Sequence, residues 1–449
     1  MDETTNKMAF RPVFPLLISM SLPVMFSMLI QALYNIVDSF WVAKLGTDAL
    51  TAVSLAFPLQ NCVMALGVGT GIGVCSRVSI SLGRGDRNEA GRAASLGIAL
   101  SLFHGLLFFF VGLLLAKPFL ASFTKDPDIL LLSTEYTRIV LCFAIGNMVQ
   151  MCYEKIFQGA GKMTTTMFVM AFGCLVNILL DPILIFGLFG FPAMGIRGAA
   201  YATVIGQFGG MFLYRIIYPF AHLGFPIRPF QTGFDRILAK KIYAVGIPSC
   251  LIMMMPSVLT GLLNTVLIQI GELYVAILGL YFKLQTFVYM PANGVIQGMR
   301  PIIGYNYGAR NYHRARQTVG FSFLLVAVIC AVGTGLALFF PREIMLLFEA
   351  DPLFLKEGTT ALRLIGPSFL ISSVAIVVCG VLESLGSGTK SLLLTLLRQF
   401  LFLIPFGLLF SSQLGVVGIW LAFPVAEVCT FFFALRFLKN IFATQLCTK

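Results

Sequence analysis

Charge is scarce in this sequence. Lys and Arg number 31 and Asp and Glu 19 among 449 residues, 11% of the chain, against 58% hydrophobic residues and a mean hydropathy of +0.92. A water-soluble domain carries roughly a quarter charged residues, so this composition excludes one. Histidine is scarcer still: His104, His222 and His313 lie far apart, and no HExxH, Walker or Ser/His/Asp set accompanies them. The ten cysteines fall singly, mostly inside apolar runs (Cys62, Cys142, Cys174, Cys379), with no CxxC pair. Zinc ribbons and dithiol redox centres are thereby excluded, and the cysteines read as small buried hydrophobes. An intramembrane enzyme would need a nucleophile and a base at one depth; no convincing pair exists, so the chain reads as neither an enzyme nor a cofactor protein. No cleavable leader is expected either: "MDETTNKMAFRP" is too polar for one, and the first apolar run should stay as a helix.

What is present is hydrocarbon-length helix, twelve times over. The expected spans are 14–41, 49–76, 93–116, 130–153, 164–188, 197–219, 243–270, 274–298, 318–340, 359–381, 391–411 and 416–438, each near the ~20 residues that cross a bilayer. The net charge of +12 concentrates in alternate loops, "SRVSISLGRGDRNEAGR", "PIRPFQTGFDRILAKK" and "RPIIGYNYGARNYHRAR". By the positive-inside rule these loops and both termini are cytoplasmic; the basic clusters suit anionic headgroups rather than nucleic acid.

A shift of 225 residues brings the two halves into register. Leu22-Pro23 meets Ile247-Pro248, Leu59-Gln60 meets Leu284-Gln285, "GRGDRNEA" (83–90) meets "GARNYHRA" (308–315), Asp126-Pro127 meets Asp351-Pro352 and Gly161 meets Gly386; at 220, "GIRGAA" (195–200) meets "GVVGIW" (415–420). The expectation is an all-α polytopic membrane protein: two six-helix lobes related by a pseudo-twofold axis along the membrane normal. The lobes are 1–218 and 243–449, joined by a cytoplasmic linker, 219–242. The glycine run "LGVGTGIGV" (66–74) follows no strand, so it reads as a close helix contact rather than a dinucleotide loop.

The repeat also filters the polar residues. Asp38 aligns with Leu263 and Asp181 falls near Ile404, so both carboxylates are peculiar to the first half. A charge at membrane depth is costly and marks a functional candidate. With the first and fifth spans running outward and the fourth and sixth starting outside, Asp38, Asp181, Tyr136 and Thr203 converge at one outer height. Asn177 lies one turn from Asp181 on the same face. The cluster is suited to a proton or to Na⁺ held by Asp38, Asn177 and Asp181, and burial beside a second carboxylate favours the neutral form of such acids. The bland alternative makes Asp38 an interfacial residue close to Lys44 and Asp181-Pro182 a helix end; Gln31 and Asn177 could equally be interhelical glue. In the second half Lys283, Arg398 and Glu427 lie within apolar spans. Two readings stand: an ion pair among themselves, or a share in substrate or coupling chemistry. Gln285 lies beside Lys283.

Several stretches resemble one family, the multidrug and toxic compound extrusion (MATE) transporters, across essentially the whole chain: "QALYNIVDSFWVAKLGTDALTAVSLAFP", "SISLGRGDRNEAGRAA", "QGAGKMTTTM", "NILLDPILIFG", "MGIRGAAYATVIGQ" and "GYNYGARNYHRAR". The resemblance is nearest to the prokaryotic branch similar to DNA-damage-inducible protein F. It implies antiport of organic cations driven by H⁺ or Na⁺, with Asp38 and Asp181 as coupling carboxylates, Asn177 as their neighbour, and Gln31, Tyr136 and Thr203 as further members. Other branches place a glutamate in the seventh helix and an acid in the tenth; "CLIMMMPSVLTGLLNTVL" and "SFLISSVAIVVCG" hold neither, so ion binding of that type is not expected in the second lobe. The expected protein is a monomer of the bacterial inner membrane, exporting amphiphilic or cationic small molecules. Gln31, Asp38, Asn177, Asp181, Lys283 and Gln285 are its candidate substrate contacts. A flippase for an amphiphilic lipid-linked precursor is the alternative.

Overall fold

In a bilayer, backbone N–H and C=O groups find no water, and the α-helix satisfies them within its own segment. The computed structural model, which describes residues 3–230 and 233–447, is accordingly helical, with no strand among the described residues. Gln231 and Thr232, inside the expected linker, and two residues at each terminus lie outside that description.

The principal helices are α1 (Val13–Ala43), α2 (Thr47–Gly83), α3 (Arg87–Leu114), α4 in two segments (Pro127–Cys142 and Ala144–Gly159), α5 (Met163–Phe186) and α6 (Ile196–Ile217). There follow α7 (Arg236–Leu267), α8 (Glu272–Gly308), α9 (Tyr312–Phe339), α10 in two segments (Pro352–Ile365 and Pro367–Ser384), α11 (Gly388–Leu396, then Leu397–Leu403, then Ile404–Leu414) and α12 (Val416–Thr444). Among the described residues ten helices are long and apolar enough to cross a membrane, and α4, bent by 47° between its segments, makes an eleventh. The 22-residue α6 is long enough but less apolar.

The expected spans stop short of the helices. The second ends at 76 in the sequence reading, yet α2 runs to Gly83; the eighth ends at 298, yet α8 runs to Gly308. A 37-residue helix is roughly 55 Å long against about 30 Å of hydrocarbon, so both continue well past it. Hydropathy marks the hydrocarbon crossing, not the helix.

The internal repeat is written into the helix ends. Asp86 and Asn311, 225 apart, cap α3 and α9, accepting from the Glu89 and Arg314 amides at 2.8 and 3.3 Å. Asp126 and Asp351 likewise cap α4 and α10, each followed by a proline at the first helical position, where its missing N–H costs nothing. Gly161 and Gly386 occupy the left-handed region at φ 79° and 80°. One departure stands out: α5 is an unbroken α-helix, while its counterpart α11 passes through a π-helical stretch, Leu397–Leu403.

The chain forms two compact units, one of Met1–Phe10 and Phe26–Cys250, the other of Arg11–Met25 and Leu251–Lys449. In the first, the glycine run of α2 makes two close contacts, as expected. A Cβ at Gly69 or Gly73 would strike the α7 backbone at Gly246 or Ile242, and one at Gly67 or Gly71 would strike Met151 or Lys155 of α4. The segment after α6 is strapped to the same unit: Arg228 donates its N–H to Ser95 Oγ at 2.8 Å, and Tyr218 bridges Phe225 and Ile227. In the second unit, Gly294 and Gly298 of α8 admit Met25 and Ser21 of α1 at equally close range.

Candidate ion and solute site

The first unit's polar cluster is assembled by helix spacing and by absent side chains. Gln31, Tyr34 and Asp38 follow at intervals of three and four along α1, which places them on one face. Asn177 and Asp181 do the same on α5. Helices α5 and α6 are then drawn together by glycine: a Cβ on Gly206 would lie 2.8 Å from the Gly173 carbonyl, and one on Gly198 2.5 Å from the Leu184 carbonyl carbon. That proximity lets Asn177 Nδ2 donate to Thr203 Oγ1 at 3.2 Å. From α4, Tyr136 is buried and accepts from Gln60 Nε2 of α2 at 3.2 Å.

The two carboxyl groups of Asp38 and Asp181 are near enough to share a proton. Asp181 is fully buried, 0% exposed, and Asn177 2%. Four oxygens of this cluster, Asp38 Oδ1, both of Asp181 and Asn177 Oδ1, are buried without a hydrogen-bond donor. A buried acceptor with no donor is costly. Oxygen-only ligands of this kind fit a hard cation, and a shared proton fits the carboxyl pair equally. Lys44 does not supply the missing charge: its ammonium lies over the Phe40 and Trp41 rings, 4.6 and 4.7 Å from their centroids, and no ion pair joins it to Asp38 among the described residues.

Two cavities open onto the cluster. One of about 330 Å³ is lined by Gln31, Tyr34, Asp38, Gln60, Tyr136 and Asn147 with Phe57, Val63 and Met64 among its apolar walls. A second, about 100 Å³, reaches Gln150, Glu154 and Asn177 and shares Gln31, Tyr34, Asn147, Met151, Thr203 and Gln207 with the first. Neither lining contains Lys or Arg.

Of the residues singled out in the sequence, Gln31, Asp38, Tyr136, Asn177, Asp181 and Thr203 thus come together. Lys283 and Gln285 do not join them. Both belong to the second unit, where Lys283 is exposed and Gln285 lines a separate cavity, donating to Tyr281 OH at 3.0 Å. Arg398 and Glu427 do pair, Nε to Oε1 at 2.7 Å, without Lys283. Sequence reasoning missed Tyr34, Gln60, Asn147 and Glu154. Tyr34 was open to discovery as the residue one turn before Asp38; Glu154 was hidden because the fourth span was ended at 153. Helix α4 joins half-buried Glu154 to buried Lys155 and Gln158, Lys155 Nζ bonding Glu154 Oε1 and Gln158 Oε1 at 3.0 Å each.

Comparison with known proteins gives these geometries a context. A family model described as MatE matches residues 23–183 and 248–409. A multidrug export protein MepA of Staphylococcus haemolyticus is 27% identical over 426 residues, 93% of this chain and 92% of the relative. An FAD transporter of Shewanella oneidensis is 24% identical over 97% of this chain and 98% of its own length. Among solved structures, the outward-facing conformation of a multidrug resistance MATE family transporter of the MOP superfamily aligns over 99% of this chain and all of its own, at 25% identity and a TM-score of 0.89. A MOP superfamily transporter from Pyrococcus furiosus, reported with a reverse polarity of its binding pocket, aligns at 24% identity, over 98% of both chains, with a TM-score of 0.89.

Proposed function

Because the chain belongs to the MatE family of membrane transporters, we propose that it exports amphiphilic, cationic compounds by antiport against H⁺ or Na⁺, with the coupling ion held by Asp38, Asp181 and Asn177. The observation that carries this reading is the set of four buried oxygens without donors, which a proton or Na⁺ would complete. The surrounding cavities support a cationic solute, since Asp38 lines the larger one and neither lining carries a basic side chain, while Glu154 in the smaller one is already paired with Lys155.

Coupling follows from competition. A solute cation and the coupling ion each gain by approaching the same carboxylates, so occupancy by one lowers the affinity for the other by a single reciprocal factor. Alternating access turns that competition into transport when the ion favours one conformation and the solute the other. The aromatic and Met side chains around the carboxylates hold the apolar body of an amphiphile without prescribing its outline. Multidrug export is the activity that the names of the MepA relatives state for those proteins.

The test is transport by the purified protein in liposomes with pH and Na⁺ gradients imposed independently. Export should follow one of the two gradients and collapse in Asp38→Asn. Full gradient-driven export by Asp38→Asn would overturn the assignment.

A further inference from the structure

The second unit contains a polar cavity that the ion site does not use. It measures about 270 Å³ and lies among α7, α8, α10, α11 and α12. Two arginines and two glutamates line it: Arg398 pairs with Glu427, and Arg300 with Glu383. Charges so placed are expensive, and a merely structural pair is expected to satisfy itself fully. These do not. Glu427 is 8% exposed, yet its Oε2 has no donor; Gln399 Oε1 has none either, and Arg300 Nε finds no acceptor. Arg398 spends Nε on Glu427 and Nη2 on Tyr289 OH at 3.3 Å, leaving Nη1 without a partner among the described residues. Tyr289 is itself fixed by Ser372 Oγ at 2.7 Å.

The backbone is altered at this place. In the π-helical stretch Leu397–Leu403, consecutive residues Arg398 and Gln399 both face the cavity, with Thr395 and Leu403 one turn to either side. Such π-turns are rare, less stable than α-helix and concentrated at functional sites. The matching helix α5 has none.

We infer that this cavity binds a zwitterionic solute, one carrying an ammonium and a carboxylate a few bonds apart on an apolar body. The four charged side chains sum to zero. A simple cation would answer Glu427 Oε2 and Gln399 Oε1 but bring unbalanced charge beside two guanidiniums; a simple anion would do the reverse beside two carboxylates. A zwitterion answers both sets at once, its ammonium donating to the Glu427 and Gln399 side chains and its carboxylate accepting from the Arg398 and Arg300 guanidiniums, all four of which line the cavity. Ile252, Pro256, Phe282 and Ile296 supply apolar wall for the remainder.

The probe is Nε-dansyl-lysine, whose fluorophore reports entry into an apolar cavity while its α-ammonium and α-carboxylate stay free. Its methyl ester is a cation only and its Nα-acetyl derivative an anion only. Equilibrium titration of the purified protein without any gradient makes the result independent of ion coupling, so this inference and the antiport reading can fail separately. The zwitterion is expected to bind about tenfold or more tighter than either derivative, the scale of one lost charged hydrogen bond. Gln399→Leu, outside the ion pairs, should weaken the zwitterion and the ester while leaving the acetyl derivative unchanged. The charge-neutral double variant Arg398→Gln/Glu427→Gln, which strands no charge, should bring all three probes to one weak affinity. An ester or acetyl derivative that binds as tightly as the zwitterion overturns the proposal, and so does a folded double variant with wild-type affinity.

Discussion

Asn177 and Thr203 meet across α5 and α6 because glycines remove the side chains that would hold the helices apart. The amide thereby commits its nitrogen to Thr203 and leaves its oxygen buried without a donor, one turn along the helix face from Asp181. Orientation of one acceptor is thus set by packing elsewhere in the interface.

That packing can be tested at Gly198. A side chain there must displace the Leu184 backbone, which cannot swing aside, so Gly198→Ala should destabilise by about 1–3 kcal/mol. Gly320→Ala meets nothing within 4 Å and serves as the matched substitution without a clash. Thermal unfolding in detergent reads the difference, and equal melting temperatures would contradict the contact.

Competition at the carboxylate pair fixes a sign for pH. Protons and a solute cation seek the same oxygens, so binding of tetraphenylphosphonium should weaken as the medium passes from mildly alkaline to mildly acidic. In Asp181→Asn the dependence should flatten, since one of two competing acids is gone. Steeper dependence in the variant would count against the shared site.

The Glu154–Lys155–Gln158 trio tests a buried charge. With side-chain exposures of 6% for Lys155 and 16% for Glu154, removing the ammonium leaves the half-buried carboxylate at the cavity wall with Gln158 Nε2, at 2.7 Å, as its donor. Lys155→Met should cost about 1–3 kcal/mol, the range for losing a hydrogen bond to a charged group. Adding Glu154→Gln should recover most of that loss, which chemical denaturation of the single and double variants would measure.

Arg197 and Glu135 supply the contrast. The guanidinium engages both carboxylate oxygens, yet the side chains are 56% and 21% exposed. Solvent screens such a pair, so Arg197→Ala should change stability by less than about 1 kcal/mol by the same assay.

Much of this was legible in the sequence because the information was local or duplicated. The caps Asp126 and Asp351 and the left-handed Gly161 and Gly386 are helix-end signals whose spacing recurs, and a repeat that aligns turns also aligns the helices between them. Asp38 and Asp181 were legible for the opposite reason: the repeat does not account for them. What escaped were residues whose burial depends on where a helix stops. Hydropathy falls at the first charge, so Glu154, Arg300 and Glu383 were consigned to loops, whereas the helices carry them inward and pair them. The π-helical stretch of α11 was passed over as well, although Pro405, two residues beyond it, lacks the N–H that would bond the Leu401 carbonyl. The division of α1 between units depends on contacts with α8, far along the chain, and no window of sequence contains both.

That division has a consequence for how the protein is made. Residues Arg11–Met25 leave the ribosome long before the glycines that receive them, Gly294 and Gly298, which are synthesised only after the first unit is complete. The opening stretch of α1 must wait in the bilayer, inserted but without its companions, while most of the chain is translated. Assembly here cannot run strictly from the amino terminus onward, and a chain released before α8 would leave that stretch without its seat.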